Sequence, residues 1–345
     1  MSELPRESSW FSDEGPEQDV VMSTRVRLAR NVVGYRFPPY MAPTEREELE
    51  RALAEYFADR DGEFVRIGAD DDSARGLLTE RNFLSPEVPS GAGPLFLRQD
   101  EHIAVQVNHI DHLRIMSYRA GLDPRRSLAD AEELDDALED EFPFSVSLEW
   151  GYLTARLDDL GTGLRVSSML HLPGLRQMGL LDEALGIAWK DGFSVRGFAV
   201  DGTESLGDVY LIVSRESLGL AEKELVEKLE RVTSQLVHYE RQVRETLLGS
   251  RKGETEDAVY RAMGILAYSR CLSRTETFRL LSWLRLGVAL GMAREITLAQ
   301  ATSLFFLTQR SHVVDLLAAE GMADTQENED EQRAVLLRRY LESRR

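Results

Sequence analysis

The run Ser23-Thr24-Arg25-Val26-Arg27-Leu28-Ala29-Arg30-Asn31 sets three guanidinium groups close together, directly behind two hydroxyls. Read as a strand, its period-two alternation puts Arg25 and Arg27 on one face and Val26 and Leu28 on the other. The second face packs. The first offers planar donor forks to an anion with several oxygens, such as a phosphate chain. A solvated basic edge strand has the same pattern. Composition weighs against that alternative: the chain has 41 Lys and Arg against 60 Asp and Glu, a net charge of −19, so clustered arginines are not what it supplies by default.

Further groups of this kind follow. His102 to Val107 alternates as a strand and runs into Asn108-His109-Ile110-Asp111-His112-Leu113-Arg114, a strand end rich in polar groups. Two histidines and an aspartate in four residues suggest a metal, but the spacing suits a turn better than a tetrahedral set, and no fourth ligand is evident. Gly161-Thr162-Gly163 brings backbone amides within reach of a ligand and is followed closely by Arg165. Arg196 lies on a strand that leads into Asp201-Gly202-Thr203-Glu204-Ser205.

The elements that must position these groups can be read in outline. Thr44 is expected to cap a helix through Phe57, with Glu47 closing a capping box. Ser127–Glu141 and 178–190 read as helices, Phe144–Leu148 as a strand, and 60–75 as largely loop. Leu220–Leu248 is a long amphipathic helix, and Gly249–Gly253 reads as a boundary. Beyond it almost everything is helical: Asp257–Tyr268, Thr275–Leu290, Leu298–Leu307 and Gln332–Arg345. Residues 1–19 are expected to be a mobile leader. No apolar run of membrane-spanning length and no secretory signal pattern occur, which points to the cytoplasm without a membrane partner. The acidic balance argues against nucleic acid as the main partner. The single cysteine, Cys271, excludes an intramolecular disulfide and is expected to be a packed core thiol.

The arginine run resembles the Ser-Ser-Arg-(Ile/Val)-Arg-Leu-Ala-Arg-Asn signature of the phosphagen (ATP:guanido) kinases, and most closely that of the bacterial protein arginine kinases. Gly151-Tyr152-Leu153-Thr154, Gly161-Thr162-Gly163-Leu164-Arg165, His171-Leu172-Pro173, Arg196-Gly197 and Glu204-Ser205-Leu206-Gly207 match in order. The resemblance implies an α+β fold: a guanido-kinase catalytic domain over 20–250, with a curved antiparallel sheet flanked by helices. An all-helical C-terminal domain over 256–345 would follow, used in homodimerisation. It also implies an ATP site, with Mg²⁺ arriving on the nucleotide. Five arginines, Arg25, Arg27, Arg114, Arg165 and Arg196, would hold the phosphates. Ser23, Thr24, Asn82, Ser167, Ser168 and Met169 would complete the nucleotide site, without a protein-bound metal. Protein substrates with exposed arginines, and adaptor or protease partners, come with the same resemblance.

The departures from the pattern are chemically pointed. The family's Asn-Glu-Glu-Asp-His is Asn108-His109-Ile110-Asp111-His112 here, so the second Glu, which helps deprotonate the guanidinium, aligns with Ile110. The family's Ser-Cys-Pro-Thr-Asn is Ala155-Arg156-Leu157-Asp158-Asp159, placing Arg156 at the reactive Cys. The second catalytic Glu aligns with Asp201, and a nucleotide-contacting His with Asn82. Asp111 and Asp201 are the candidate catalytic carboxylates, with Asp158 and Asp159 as further substitutes for the missing Glu. In the tail, Glu329-Asp330-Glu331-Gln332-Arg333-Ala334 replaces an Arg-Asp-x-x-Arg-Ala phosphoarginine pocket. Two functions follow from these residues: a protein arginine kinase, or a catalytically impaired pseudokinase that binds nucleotide or phosphoarginine as a regulatory or adaptor subunit.

Overall fold

The computed structural model describes residues 9–68, 71–84, 93–198, 205–319, 321 and 328–343. The strand β1 (Val21–Arg30) is followed by α1 (Pro43–Phe57), β2 (Gly62–Val65), α2 (Asp72–Glu80), β3 (Leu95–Arg98), β4 (Ile103–Val107) and β5 (Leu113–Ala120). Next come α3 (Pro124–Glu139), the short hairpin β6 (Val146–Ser147) and β7 (Gly151–Tyr152), β8 (Leu164–His171), α4 (Pro173–Gln177), α5 (Leu181–Lys190), β9 (Phe193–Gly197) and β10 (Val209–Ser214). The chain ends in helices: α6 (Glu222–Tyr268), α7 (Arg274–Ala289), α8 (Leu298–Leu307), α9 (Arg310–Ala319) and α10 (Glu329–Glu342).

Eight strands form one sheet in the order β2-β3-β4-β5-β1-β8-β10-β9, and every described pairing is antiparallel. The arginine strand β1 is therefore central, hydrogen-bonded to β5 on one side and β8 on the other. The β1 alternation sorts the side chains as the sequence pattern requires. Val26 and Leu28 join a core with Leu49 and Leu53 of α1, Leu128 and Ala131 of α3, and Leu229 and Val232 of α6. The opposite face carries Met116, Tyr118 and Met169 into a second core with Trp10, Phe278, Leu281 and Phe306. The sheet and the C-terminal helices thus share one apolar cluster.

Several local expectations are corrected. Residues 9–19 are no loose leader: Trp10 is fully buried, stacked on Tyr118 with ring centroids 5.4 Å apart. Helix α1 starts one residue early, because Pro43 suits the first helical position, and it is Glu45 that accepts the Ala42 N–H. The stretch 249–253 stays helical inside α6, with only a kink at Arg251. A glycine costs a helix about 1 kcal/mol, less than its packed flanks return. Helices α2 and α9 go beyond the sequence expectation; α2 is started by a local cap, with Asp71 accepting from the Ala74 N–H. The 144–148 strand shrinks to Val146–Ser147. Cys271 is exposed, in the turn between α6 and α7, and is not a core thiol.

Candidate active site

The first two arginines of β1 and the third do different work. Arg25 and Arg27 lie on the sheet face that carries Tyr118 and Met116, opposite Ser167 and Arg165 of β8 in register. Arg30 falls on the other face. Its guanidinium is buried and donates to Asp135 of α3 at 2.7 and 3.0 Å and to the carbonyls of Ala29 and Thr162. It also lies 3.6 Å from the Tyr152 ring centroid. Arg30 therefore fastens the Gly161-Thr162-Gly163 turn and the β6–β7 hairpin to α3. Gly163, at φ +69°, lets the turn close: a Cβ there would stand 2.6 Å from the Ala29 carbonyl oxygen.

Asn31 ends the signature as a connector. Its Nδ2 donates to Asp111 Oδ1 (2.9 Å) and to the Leu153 carbonyl, and its Oδ1 accepts the His112 N–H. His112 accepts from the Val32 N–H through Nδ1 and bonds the Arg36 carbonyl through Nε2. Asp111 and His112 are thus engaged within the protein. Among the described residues no group of three His, Cys, Asp or Glu side chains is arranged to hold a metal.

Arg27, Arg114 and Arg165 converge on a single carboxylate, Asp159. Asp159 Oδ1 accepts from Arg27 Nη2 and from Arg165 Nε, each at 2.7 Å, and Oδ2 lies 3.8 Å from Arg114 Nη2. Asp159 is 1% exposed against 17% for Arg27 and 13% for Arg165. Burial works to raise its pKa, but Arg27 and Arg165 outweigh burial and hold the carboxyl below the usual range. Arg27 is drawn down to about 9 by burial and by the neighbouring Arg114 guanidinium, against the pull of Asp159. Arg114 also stands 3.5 Å from Asp111 Oδ2. Asp111 is fully buried; its Oδ1 accepts from Asn31 and from the Ala155 N–H, while Oδ2 has no hydrogen bond. Arg27 Nε, Arg114 Nε and Nη2, and Asp159 Oδ2 are likewise buried without one. Unsatisfied donors and acceptors converging in one place mark a site that expects further polar atoms.

Beside Arg25 a cleft is lined by Trp10, Ser23, Arg25, Asn82, Tyr118, Ser167, Met169 and Leu211. It gathers five of the sequence candidates: Ser23, Arg25, Asn82, Ser167 and Met169. Asn82 adopts a left-handed backbone (φ +64°), its carbonyl accepts the Tyr118 hydroxyl at 2.6 Å, and its Nδ2 is buried without a partner. Arg196 is exposed on the edge strand, opposite Leu211 in register. Thr24 and Ser168 are not brought to the cleft. Thr24 donates to the Gly121 carbonyl and Ser168 meets Thr233 of α6, both on the far side of the sheet. Asp201 lies outside the described residues. Asp159 and Asn31 were the members hardest to find from sequence. Asp159 was legible only as a substitute for the missing Glu and not as the partner of the arginines, and Asn31 read only as the end of the run.

The chain has counterparts among known proteins. Residues 46–243 match the family model of the ATP:guanido phosphotransferase C-terminal catalytic domain, and residues 252–345 that of the protein-arginine kinase McsB C-terminal domain. The chain is 34% identical to the protein-arginine kinase of Halothermothrix orenii over 97% of this chain and 96% of that protein. It is also 34% identical to that of a Geobacillus species (strain WCH70), over 97% and 94% respectively. The chain belongs to the protein-arginine kinase family. Its fold is similar to that of a duplicated taurocyamine kinase from Schistosoma mansoni solved with transition-state-analogue components, with a TM-score of 0.59 and 24% identity. That likeness covers 74% of this chain and 40% of the other.

In the tail, Arg333 is fully buried and its donors are used internally. They reach the Thr308 and Leu272 carbonyls, Asp330 at 2.7 Å, and Glu329. Glu329, standing where the resembled run has an arginine, supplies a counter-charge to Arg333.

Proposed function

We propose that this chain binds Mg·ATP and transfers the γ-phosphoryl group to arginine side chains of proteins. The carrying observation is the convergence of Arg27, Arg114 and Arg165, with Arg25 beside them, on one partly open face next to an aromatic-lined cleft. Phosphoryl transfer asks mainly for positioning and for charge stabilisation of the equatorial oxygens, which such a cluster supplies. The cleft beside Arg25 would take the nucleoside, with Ser23, Asn82, Ser167 and Met169 around it, and Arg196 would close the edge. With no three-ligand set among the described residues, Mg²⁺ would be carried by the nucleotide's own phosphates, where it neutralises charge.

In this reading a guanidinium nitrogen of the substrate forms a bond to the γ-phosphorus as the bond to the bridging oxygen breaks. ADP leaves with that electron pair. The proton lost from the guanidinium goes to a carboxylate, for which Asp111, through the Oδ2 that makes no hydrogen bond, and Asp201 are the candidates. Exposed apolar side chains stand on and beside the β6–β7 hairpin, which bridges to Gly161, and in the turn before Asp158: Val146, Leu148, Trp150 and Leu157. They favour a polypeptide substrate over a free small guanidine. We place the protein in the cytoplasm as a homodimer, with adaptor or protease partners; no helix among the described residues is long and apolar enough to cross a membrane.

Ile110 at the position of the family's Glu, with Asp159 seated in the cluster, favours a second reading: a pseudokinase that binds nucleotide without turnover. The two separate on phosphoarginine formation. Full-length protein with Mg·ATP and an arginine-rich unfolded polypeptide, followed by ³¹P NMR, should give an acid-labile signal that disappears in Arg165→Ala and falls steeply in Asp111→Asn. Nucleotide binding that depends on Arg165, with no such signal, would establish the pseudokinase. Absence of both would overturn the proposal.

A further inference from the structure

The nitrogens of Arg165 are all engaged. Nε donates to Asp159 Oδ1 at 2.7 Å, Nη1 to the Ser214 carbonyl at 2.5 Å, and Nη2 stands 3.3 Å from Asp158. Arg27 Nη2 is bound to the same Asp159 oxygen. Asp159 thus takes up the single Nε–H of Arg165 and one N–H of Arg27 Nη2, and an anion that is to reach those two donors must displace it. Asp158 is half exposed and yields easily, whereas Asp159 is buried at the centre. We propose that Asp159 is a specificity-determining residue of the arginine cluster: its carboxylate holds the place of one phosphate group, so that a polyphosphate displaces it and a single phosphate does not. The inference rests on the nucleotide-binding reading.

Three observations support it. First, the charge is not needed for shape. Asparagine has the outline of aspartate without its charge, so what Asp159 adds to the cluster beyond shape is one negative charge. Second, the replacement is incomplete. Arg27 Nε and Arg114 Nε and Nη2 remain buried without hydrogen bonds, and Asp159 Oδ2 meets no donor within hydrogen-bond range. One carboxylate thus occupies a site with more donors than it reaches, and a ligand with several phosphates would reach them together. Third, the element that carries Asp159 is short. Asp159 ends a single 3-10 turn (Leu157–Asp159) in which Leu157 is exposed, and Gly161 follows at φ +104°. For orthophosphate, entry exchanges one anion for another with little electrostatic gain. For a di- or triphosphate, the lost contact is replaced by several, from Arg25, Arg27, Arg114 and Arg165 in one binding event.

The test is calorimetric titration of the full chain with Mg·ADP and, separately, with inorganic orthophosphate, for wild type, Asp159→Asn and Asp159→Ala. Both variants should bind Mg·ADP at least tenfold more tightly. Orthophosphate, silent with wild type, should become a measurable ligand, so that the preference for ADP over orthophosphate shrinks. A merely structural role for Asp159 would not move that ratio. Thermal melts check that each variant is folded, and the alanine variant covers the case in which the asparagine one is not. Unchanged or weaker Mg·ADP binding in folded variants, with wild-type binding intact, would overturn this inference alone. No binding of Mg·ADP by any of the three proteins would overturn the nucleotide reading and this inference with it.

Discussion

The third arginine of the signature offers the sharpest test of how β1 divides its labour. Arg30→Met keeps length and apolar bulk and removes the charge. It leaves Asp135 with 7% side-chain exposure and no cation. In the folded protein burial already raises the Asp135 pKa, and the Arg30 guanidinium counteracts that rise. Breaking a buried pair by removing one partner typically costs about 3–5 kcal/mol, because the remaining charge is neither solvated nor paired. The carbonyls of Ala29 and Thr162 lose their donor as well. Against a total stability on the order of 5–15 kcal/mol, that is a large fraction. Urea denaturation should show the midpoint falling with little change in slope. The double variant Arg30→Met/Asp135→Leu should recover most of the loss, since a buried pair replaced by apolar side chains is often close to neutral. Arg27→Met should behave differently: it loses a partly exposed pair to Asp159 and is expected to reduce nucleotide affinity far more than stability. A loss below about 1 kcal/mol in Arg30→Met, or no recovery in the double variant, would refute the assignment of Arg30 to the scaffold.

The other predictions follow from single contacts. Arg165→Ala should reduce phosphoarginine formation by on the order of 10²–10³-fold, as for loss of one charge-stabilising donor, measured by ³¹P NMR time courses. Trp10→Ala should cost about 3–5 kcal/mol in urea denaturation, because a fully buried aromatic is deleted between Tyr118 and Phe306. The folded pKa of Asp159 is depressed, so its contribution to stability is present above its unfolded value of about 3.9 and is lost as pH falls through the folded value. Asp159→Asn should therefore flatten the acid limb of a stability–pH profile below about pH 4 and leave the neutral region with a constant offset. A parallel acid limb in the two proteins would contradict this.

How far the sequence could be read depended on whether the information was local. The alternation of β1 was local, and it put Arg25 and Arg27 on the correct face without any knowledge of neighbours. The strand over 103–107 and the helices α3, α7 and α8 also declared themselves through their own periodicity. What it could not show was which distant segments meet. Asp159 reaches Arg27 across 132 positions of sequence, and nothing in the turn 157–163 signals that contact. Asn31 ties 111–112 to 153–155, a role visible only once β1, β5 and the hairpin are placed side by side. Thr24 shows the opposite case. It sits inside the signature, but period two sends its hydroxyl to the Gly121 carbonyl on the far face. A motif names the strand, and the parity of each residue decides which members face the ligand.

The C-terminal helices bear on the cleft because they hold the segments that line it. Phe306 of α8 packs edge-on against Trp10 with centroids 5.0 Å apart, and Trp10 stacks on Tyr118. Arg285 of α7 is buried and donates to the carbonyls of Gln18 and Asp19, just ahead of β1, and to His171 Nδ1. Glu80, at the end of α2, accepts the backbone N–H groups of Ser311 and His312 at the start of α9 and also bonds the His312 ring. Arg81, next to Asn82, donates to the other nitrogen of that ring at 3.0 Å. Trp10 and Asn82 line the cleft, so two of its walls rest on contacts made by α8 and α9.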